Sequence, residues 1–408
     1  MNSIPFGFTP SEGQPFDMTQ LGAMLQQIGQ MMQRAETDTS ENGVSWGTIH
    51  DSARNAISQN GDPSIADAQR KAVSDAVQLA QVWLDGETAF PASSTEAFAW
   101  SRSEWLEQSL PAWRPLIEPV AAGLARTVTQ VTNDAQTPAE LEGIPQEMRA
   151  MLEPMLAMAQ KMAAVSTGMQ VGQGLAVLSN ELLASSEIAV PLSPHFVPAL
   201  LPERIRTFAD ENNIAISDAF VFIAVREAAI QRLFAANAWL RAEVVDAVSS
   251  YARGISIDQE RIREVMSNIN PEDPASMNEL MTSGVFEPAA TPEQQRALDR
   301  LEVALALIEG WVSAVTENAV GQRLAATSQL IETMNRRRVS GGPAEKTFAN
   351  LVGLEFSPRL VRQASGFWKT AAELRGNSGR DQLWEHPDFL PSASDLDDPG
   401  SFLNQSTD

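Results

Sequence analysis

The chain has 408 residues, 43% of them hydrophobic, which is enough material for one large domain or two ordinary ones with a substantial buried core. Its 52 acidic side chains against 29 basic ones give a formal charge of -23, a field that disfavours nucleic acid and anionic lipid as partners. Cysteine is absent, which excludes disulfides, thiolate nucleophiles and thiolate metal ligands.

In chain order, residues 1–15 are polar and Gly/Pro-containing and are expected to be a flexible segment. They show neither a basic n-region nor an apolar h-region, and no run of eighteen uncharged apolar residues follows anywhere, so the expectation is a cytoplasmic protein with no membrane span. Between Asp17 and Gln33, the residues Leu21, Met24, Leu25, Ile28, Met31 and Met32 recur at helical spacing. That methionine-rich stripe serves either the core or the docking of a partner. Residues 35–43 read as loose again.

A proline-opened pattern from Pro63 to Leu84, with Val73, Ala76, Val77, Ala80, Trp83 and Leu84 on one face, predicts a helix that ends before Gly86. Ser101 and Glu104 have capping-box spacing and open a helix carrying Trp105. From Pro145 to Leu183 the chain is rich in Ala, Met, Gly and Gln; Gly168 and Gly172 lie one turn apart, which would let another helix approach closely. Glu187–Leu192 is the best candidate for an extended piece, an edge strand bounded by serines. Ser217 is a plausible N-cap for a helix reaching Phe234, and Thr291-Pro292 with Gln294 caps another that runs past Glu309. Arg336–Arg338 precede a turn-like Ser-Gly-Gly-Pro and read as a solvated helix end. Leu383–Pro391 resembles an irregular arm with aromatic anchors, and residues 391–408 an acidic, flexible tail. The expected fold is mainly α, with at most a short edge strand or minimal sheet, organised as one large domain over residues 16–390.

The helix after Ser217 is apolar except for Arg226 and Glu227, and charges in that setting need a partner or a cavity. Positions 226 and 230 are one turn apart, the spacing at which H-E-x-x-H places two histidines on zinc with the glutamate as general base. Here the frame reads Arg226-Glu227-Ala228-Ala229-Ile230.

Further tags follow along the chain: Pro5-Phe-Gly-Phe8, Leu79-Ala80 with Trp83-Leu84, Trp100-Ser-Arg-Ser-Glu-Trp105, Gly168-Met-Gln-Val-Gly172, Gln231-Arg-Leu-Phe234, Trp239-Leu-Arg241, Tyr251-Ala-Arg-Gly-Ile255, Glu309-Gly-Trp311, Arg380-Asp381 and Trp384-x-His-Pro-Asp388. Together they resemble the actinobacterial zincin-like family labelled zinc-dependent metalloprotease or hydrolase, related to a set associated with deazaflavin-cofactor biosynthesis. The resemblance implies a zincin-like helical domain in which a downstream glutamate, here Glu309, stands at the third ligand position. Relatives on this branch tend to read Arg-Glu-x-x-His; in this chain Ile230 replaces the second histidine as well.

Isoleucine offers zinc no donor, and arginine stays protonated and would repel the ion. The three histidines, His50, His195 and His386, are far apart in sequence, and one of them completing a site with Glu227 and Glu309 is the remaining route to a metal. The preferred expectation is that Arg226 takes the metal's charge and forms a buried, bidentate salt bridge with Glu309, with Glu227 a vestigial general base hydrogen-bonded nearby. The bland alternative leaves Arg226 and Glu227 at the surface edge of a core helix. Three functions are weighed: a pseudoenzyme binding a protein, peptide or small-molecule partner without cofactor, a hydrolase with non-standard zinc ligands or with Glu227 as a metal-free general base, and a structural subunit of a larger assembly.

Overall fold

The computed structural model describes residues 44–134, 146–254, 291–339, 347 and 358–405, with side chains placed for most of them. The methionine stripe before Gln33 and residues 1–15 lie outside the described residues. The architecture is helical, with eleven α-helices and one two-stranded parallel sheet among the described residues. In chain order these are α1 (Trp46–Gln59), α2 (Asp67–Leu84), β1 (Phe98–Ala99), α3 (Arg102–Asp134), α4 (Gln146–Glu181), β2 (Ala199–Leu200), α5 (Pro202–Glu211), α6 (Ile216–Ala236), α7 (Ala238–Arg253), α8 (Pro292–Val320), α9 (Thr327–Val339), α10 (Pro358–Gln382) and α11 (Pro399–Gln405).

Several starts follow from local chemistry. At α3, Ser101 N–H donates to Glu104 at 2.8 Å and Glu104 N–H to Ser101 Oγ at 3.2 Å, the expected reciprocal cap. Thr291 and Gln294 do the same for α8. α2 begins four residues later than its proline suggests, at Asp67, because the preceding loop is engaged elsewhere. In that loop Asp62 accepts the N–H groups of Arg102 and Ser103 at 3.0 and 2.9 Å and so caps α3 from outside. α6 is also displaced from expectation. Its N-cap is Ala215, not Ser217; Asn213 turns the chain with φ 53° and Ile214 N–H closes on Ala209 O at 2.9 Å.

Gly168 and Gly172 of α4 face α1. A Cβ on Gly172 would sit 2.6 Å from Ile49 O, so glycine is what lets the two helices meet. The extended piece expected at Glu187–Leu192 is a turn instead: Ala189 has φ 59°, and the Glu187 carboxylate bends back to Leu183 N–H at 2.6 Å. Pairing is taken up by β2, which runs parallel to β1, while Ser185 N–H bonds Ala199 O and Leu201 N–H bonds Leu183 O. This small sheet lies beside α6.

One continuous cluster of buried side chains extends from Val44 to Leu403. At its centre run α6, where residues 222–234 are buried without interruption, and α8. α8 is long and apolar enough to cross a membrane by length and composition, and 78% of its apolar window is buried within the fold. The C-terminal part is more ordered than its acidic composition suggests. Trp384 stacks on Trp368 at 5.1 Å, and the 3₁₀ turn Asp395–Asp397 and α11 bury Leu396 and Leu403. Phe402 adds a ring contact to Phe367 at 5.7 Å and Asp397 meets Arg359 at 3.4 Å, so apolar anchors and an ion pair together seat an otherwise polar segment. Residues 406–408 lie outside the described part.

Candidate functional site

α6 and α8 pack side by side and bring the two motif segments together. Arg226, Glu227 and Glu309 are 8%, 2% and 6% exposed, which removes the reading that places the first two at a surface edge. Arg226 Nη2 donates to Glu309 Oε1 at 2.6 Å, and its Nη1 reaches Ser313 Oγ at 3.5 Å. Ser313, one turn beyond Glu309, donates to the same oxygen at 3.0 Å. The guanidinium therefore answers a buried carboxylate that would otherwise carry its charge into the core uncompensated.

Glu227 points to the other side. It accepts from Ser185 Oγ at 2.5 Å, Gln231 Nε2 at 2.8 Å, Ser186 N–H at 3.2 Å and Ala199 N–H at 3.5 Å. Burial pushes its carboxyl above the usual carboxylate range, against the opposing pull of those hydrogen bonds. Gln231 Nε2 also donates to Ser186 Oγ at 2.8 Å, so the pair of serines, the amide and the carboxylate form one network linking α6 to the small sheet. Sequence reasoning read Ser185-Ser186 only as a boundary. The signal available was that a buried glutamate needs donors, and adjacent hydroxyls are ready ones.

Beside these groups is a cavity of about 20 Å³, room for one or two waters. Ser186, Glu187, Arg226, Glu227, Ile230 and Glu309 line it, together with Ile223, Val312 and Met334. Glu187 and Met334 were not anticipated. Arg337, expected to be a solvated helix end, instead folds inward and meets Glu187 at 3.2 Å.

The described residues around this cavity do not fit zinc. At the two ligand positions of α6 stand a guanidinium and a hydrocarbon, Glu309 is engaged by Arg226, and Glu227 is surrounded by donors. The histidines do not repair this. His50 is beside Asp51 on α1, His195 is in the turn before β2 with φ 55°, and His386 caps the 3₁₀ turn Pro387–Phe389. Glu187, Glu227 and Glu309 all line the cavity, yet among the described residues no group of three His, Asp or Glu is arranged to hold a metal ion. What the arrangement offers is a small, acidic, apolar-floored cavity with one fixed internal cation.

Comparison with known proteins agrees with the fold. No curated protein matches the chain. Among solved structures, one from Chloroflexus aurantiacus, described as a "putative hydrolase with a novel fold", is similar at TM-score 0.58 and 18% identity, covering 89% of this chain and 98% of the other. The family model for zincin-like metallopeptidases matches residues 44–403, and the chain belongs to that family.

Proposed function

We propose that this protein is a zincin-like pseudoenzyme: it keeps the scaffold of a metallopeptidase family, carries no catalytic zinc at the helix motif, and acts in the cytoplasm by binding a protein or peptide partner. The observation that carries the reading is the Arg226–Glu309 pair at 2.6 Å, with Ile230 one turn along the same cavity wall. A protonated guanidinium repels a dication from that place, and isoleucine cannot ligate one. Metal analysis of the purified protein tests it. Substoichiometric zinc is expected; stoichiometric zinc that a chelator removes and Glu309→Ala abolishes would overturn the reading.

A competing reading, hydrolysis with Glu227 as a metal-free general base, is favoured by the raised proton affinity of that carboxyl. It is opposed by the four donors that already engage it, which hold it to the protein rather than to a water or substrate.

A further inference from the structure

The cavity beside Arg226 is closed on one side by a helix to which none of the motif positions belongs. α9 turns Leu330, Thr333 and Met334 inward, and Met334 forms the wall that faces Ile223, Ile230 and Val312. Three residues on, Arg337 Nε meets Glu187 Oε1 at 3.2 Å and its Nη2 donates to Glu181 O. An apolar plug and a cationic latch thus sit on one helix face, one turn apart. Both insert into complementary chemistry. The methionine meets a hydrocarbon floor, and the arginine meets a carboxylate that is only 7% exposed and lines the same cavity.

The rest of α9 holds weakly. Ser328, Gln329, Glu332, Asn335 and Arg336 are exposed, and among its described side chains Leu330 and Met334 are the fully buried apolar ones, with Ile331 partly buried against the core. α6 beneath it, by contrast, is buried over residues 222–234. A thirteen-residue helix attached by Leu330, Ile331 and Met334, the Gln329 bond to Asn212 O and the Arg337 contacts has few anchors beside α6, and a thinly anchored surface helix belongs to the lower-stability end of a fold. With Met334 in place, the cavity has room for water alone.

We propose that α9 is a displaceable self-ligand, and that the surface it covers binds a helical segment of a partner protein with the same pattern, a large unbranched apolar side chain followed three residues later by arginine. The proposal rests on the reading of this cleft as a binding site, and names its partner class and its regulation: the partner competes with residues 327–339 of the chain itself.

The absence of cysteine permits a direct test. Ile230→Cys places one thiol on the covered wall, and Ala224→Cys, in the α6 core away from the cavity, reports global opening. Thiol-reagent labelling of Ile230→Cys should accelerate roughly tenfold when Arg337→Gln releases the latch, corresponding to about 1.4 kcal/mol on the opening equilibrium. Ala224→Cys labelling should not change, and Arg337→Lys should restore slow labelling. A synthetic peptide of residues 327–339 should slow labelling of the released variant; the same peptide with Met334→Asp should not. Should Arg337→Gln fail to fold by circular dichroism, Glu187→Gln removes the other end of the latch. Labelling of Ile230→Cys that stays at the Ala224→Cys rate in the released variant overturns the plug, and labelling indifferent to the peptide overturns the partner. Zinc found in the purified protein would sink the metal-free reading while leaving these rates to be judged separately.

Discussion

Two arginines on α6 show how differently one helix can use the same buried charge. Arg232, 1% exposed, is saturated: Nε donates to Gln81 Oε1 at 2.8 Å, Nη1 to Phe90 O at 3.1 Å, and Nη2 to Gln81 O at 2.9 Å and Asp85 Oδ1 at 2.7 Å. Its acceptors come from the end of α2 and the loop after it, so it joins three chain segments. The same loop is held from the far side by Arg380 and Asp381, whose carboxylate accepts from Thr88 Oγ1, Ala89 N–H and Trp311 Nε1. Arg226 has instead one carboxylate, one distant hydroxyl and a cavity next to it. An arginine that completes a fold is surrounded by carbonyls. One that stands beside empty space marks a place where the fold has left a site.

The comparison is sharpest at Arg232. Arg232→Met strands the half-buried acceptors Gln81 Oε1 and Phe90 O, while Gln81 O keeps the Asp85 N–H; at about 1–3 kcal/mol each, denaturant unfolding should show a loss of roughly 4 kcal/mol. Arg226→Met should cost less, about 3 kcal/mol, at the low end for breaking a buried pair, because Ser313 still donates to Glu309 and water has room to enter. Adding Glu309→Leu to it should recover most of that loss, since neither charge is then left alone. If the double variant remains as unstable as the single, the pair is not the unit described here. Arg226→His with Ile230→His puts two imidazoles one turn apart opposite Glu309 and should introduce zinc-dependent stability, about 2.7 kcal/mol at a hundredfold excess over the dissociation constant. A double variant whose thermal midpoint ignores added zinc would mean that the cavity cannot be returned to metal binding.

How much of this the sequence revealed depended on how local the cause is. The helices carrying Arg226 and Glu309, the caps at Ser101 and Thr291, and the close approach at Gly168 and Gly172 are all written within one or two turns, and each was legible. The two-residue strands were not. Phe98–Ala99 and Ala199–Leu200 are too short to show alternation, and their pairing spans a hundred residues. The cap of α3 by Asp62 and the inward turn of Arg337 likewise depend on partners distant in sequence. The Arg226–Glu309 pairing was accessible only through the family resemblance, which implies that both residues stand at one site; nothing comparable in the sequence points to Met334.

The smallest expected effect concerns Glu227, and it separates a carboxyl kept for its charge from one kept for its shape. Burial raises its proton affinity in the folded protein above the ordinary value of 4.5, so between the unfolded and folded values the native state holds more proton than the unfolded one. The contribution of this group to stability is therefore whole below about 4.5 and is lost as pH rises through the folded value. Within that window the stability of the wild type should fall by about 1.4 kcal/mol per pH unit relative to Glu227→Gln, which cannot titrate. The glutamine keeps an acceptor for Ser186 N–H or Ser185, so the variant should fold and remain nearly parallel to wild type outside the window. Urea midpoints of both proteins from pH 4 to pH 8 read the difference. Curves parallel throughout would mean that the hydrogen bonds from Ser185, Ser186, Ala199 and Gln231 outweigh burial, and that Glu227 is an ordinary carboxylate tying α6 to the small sheet.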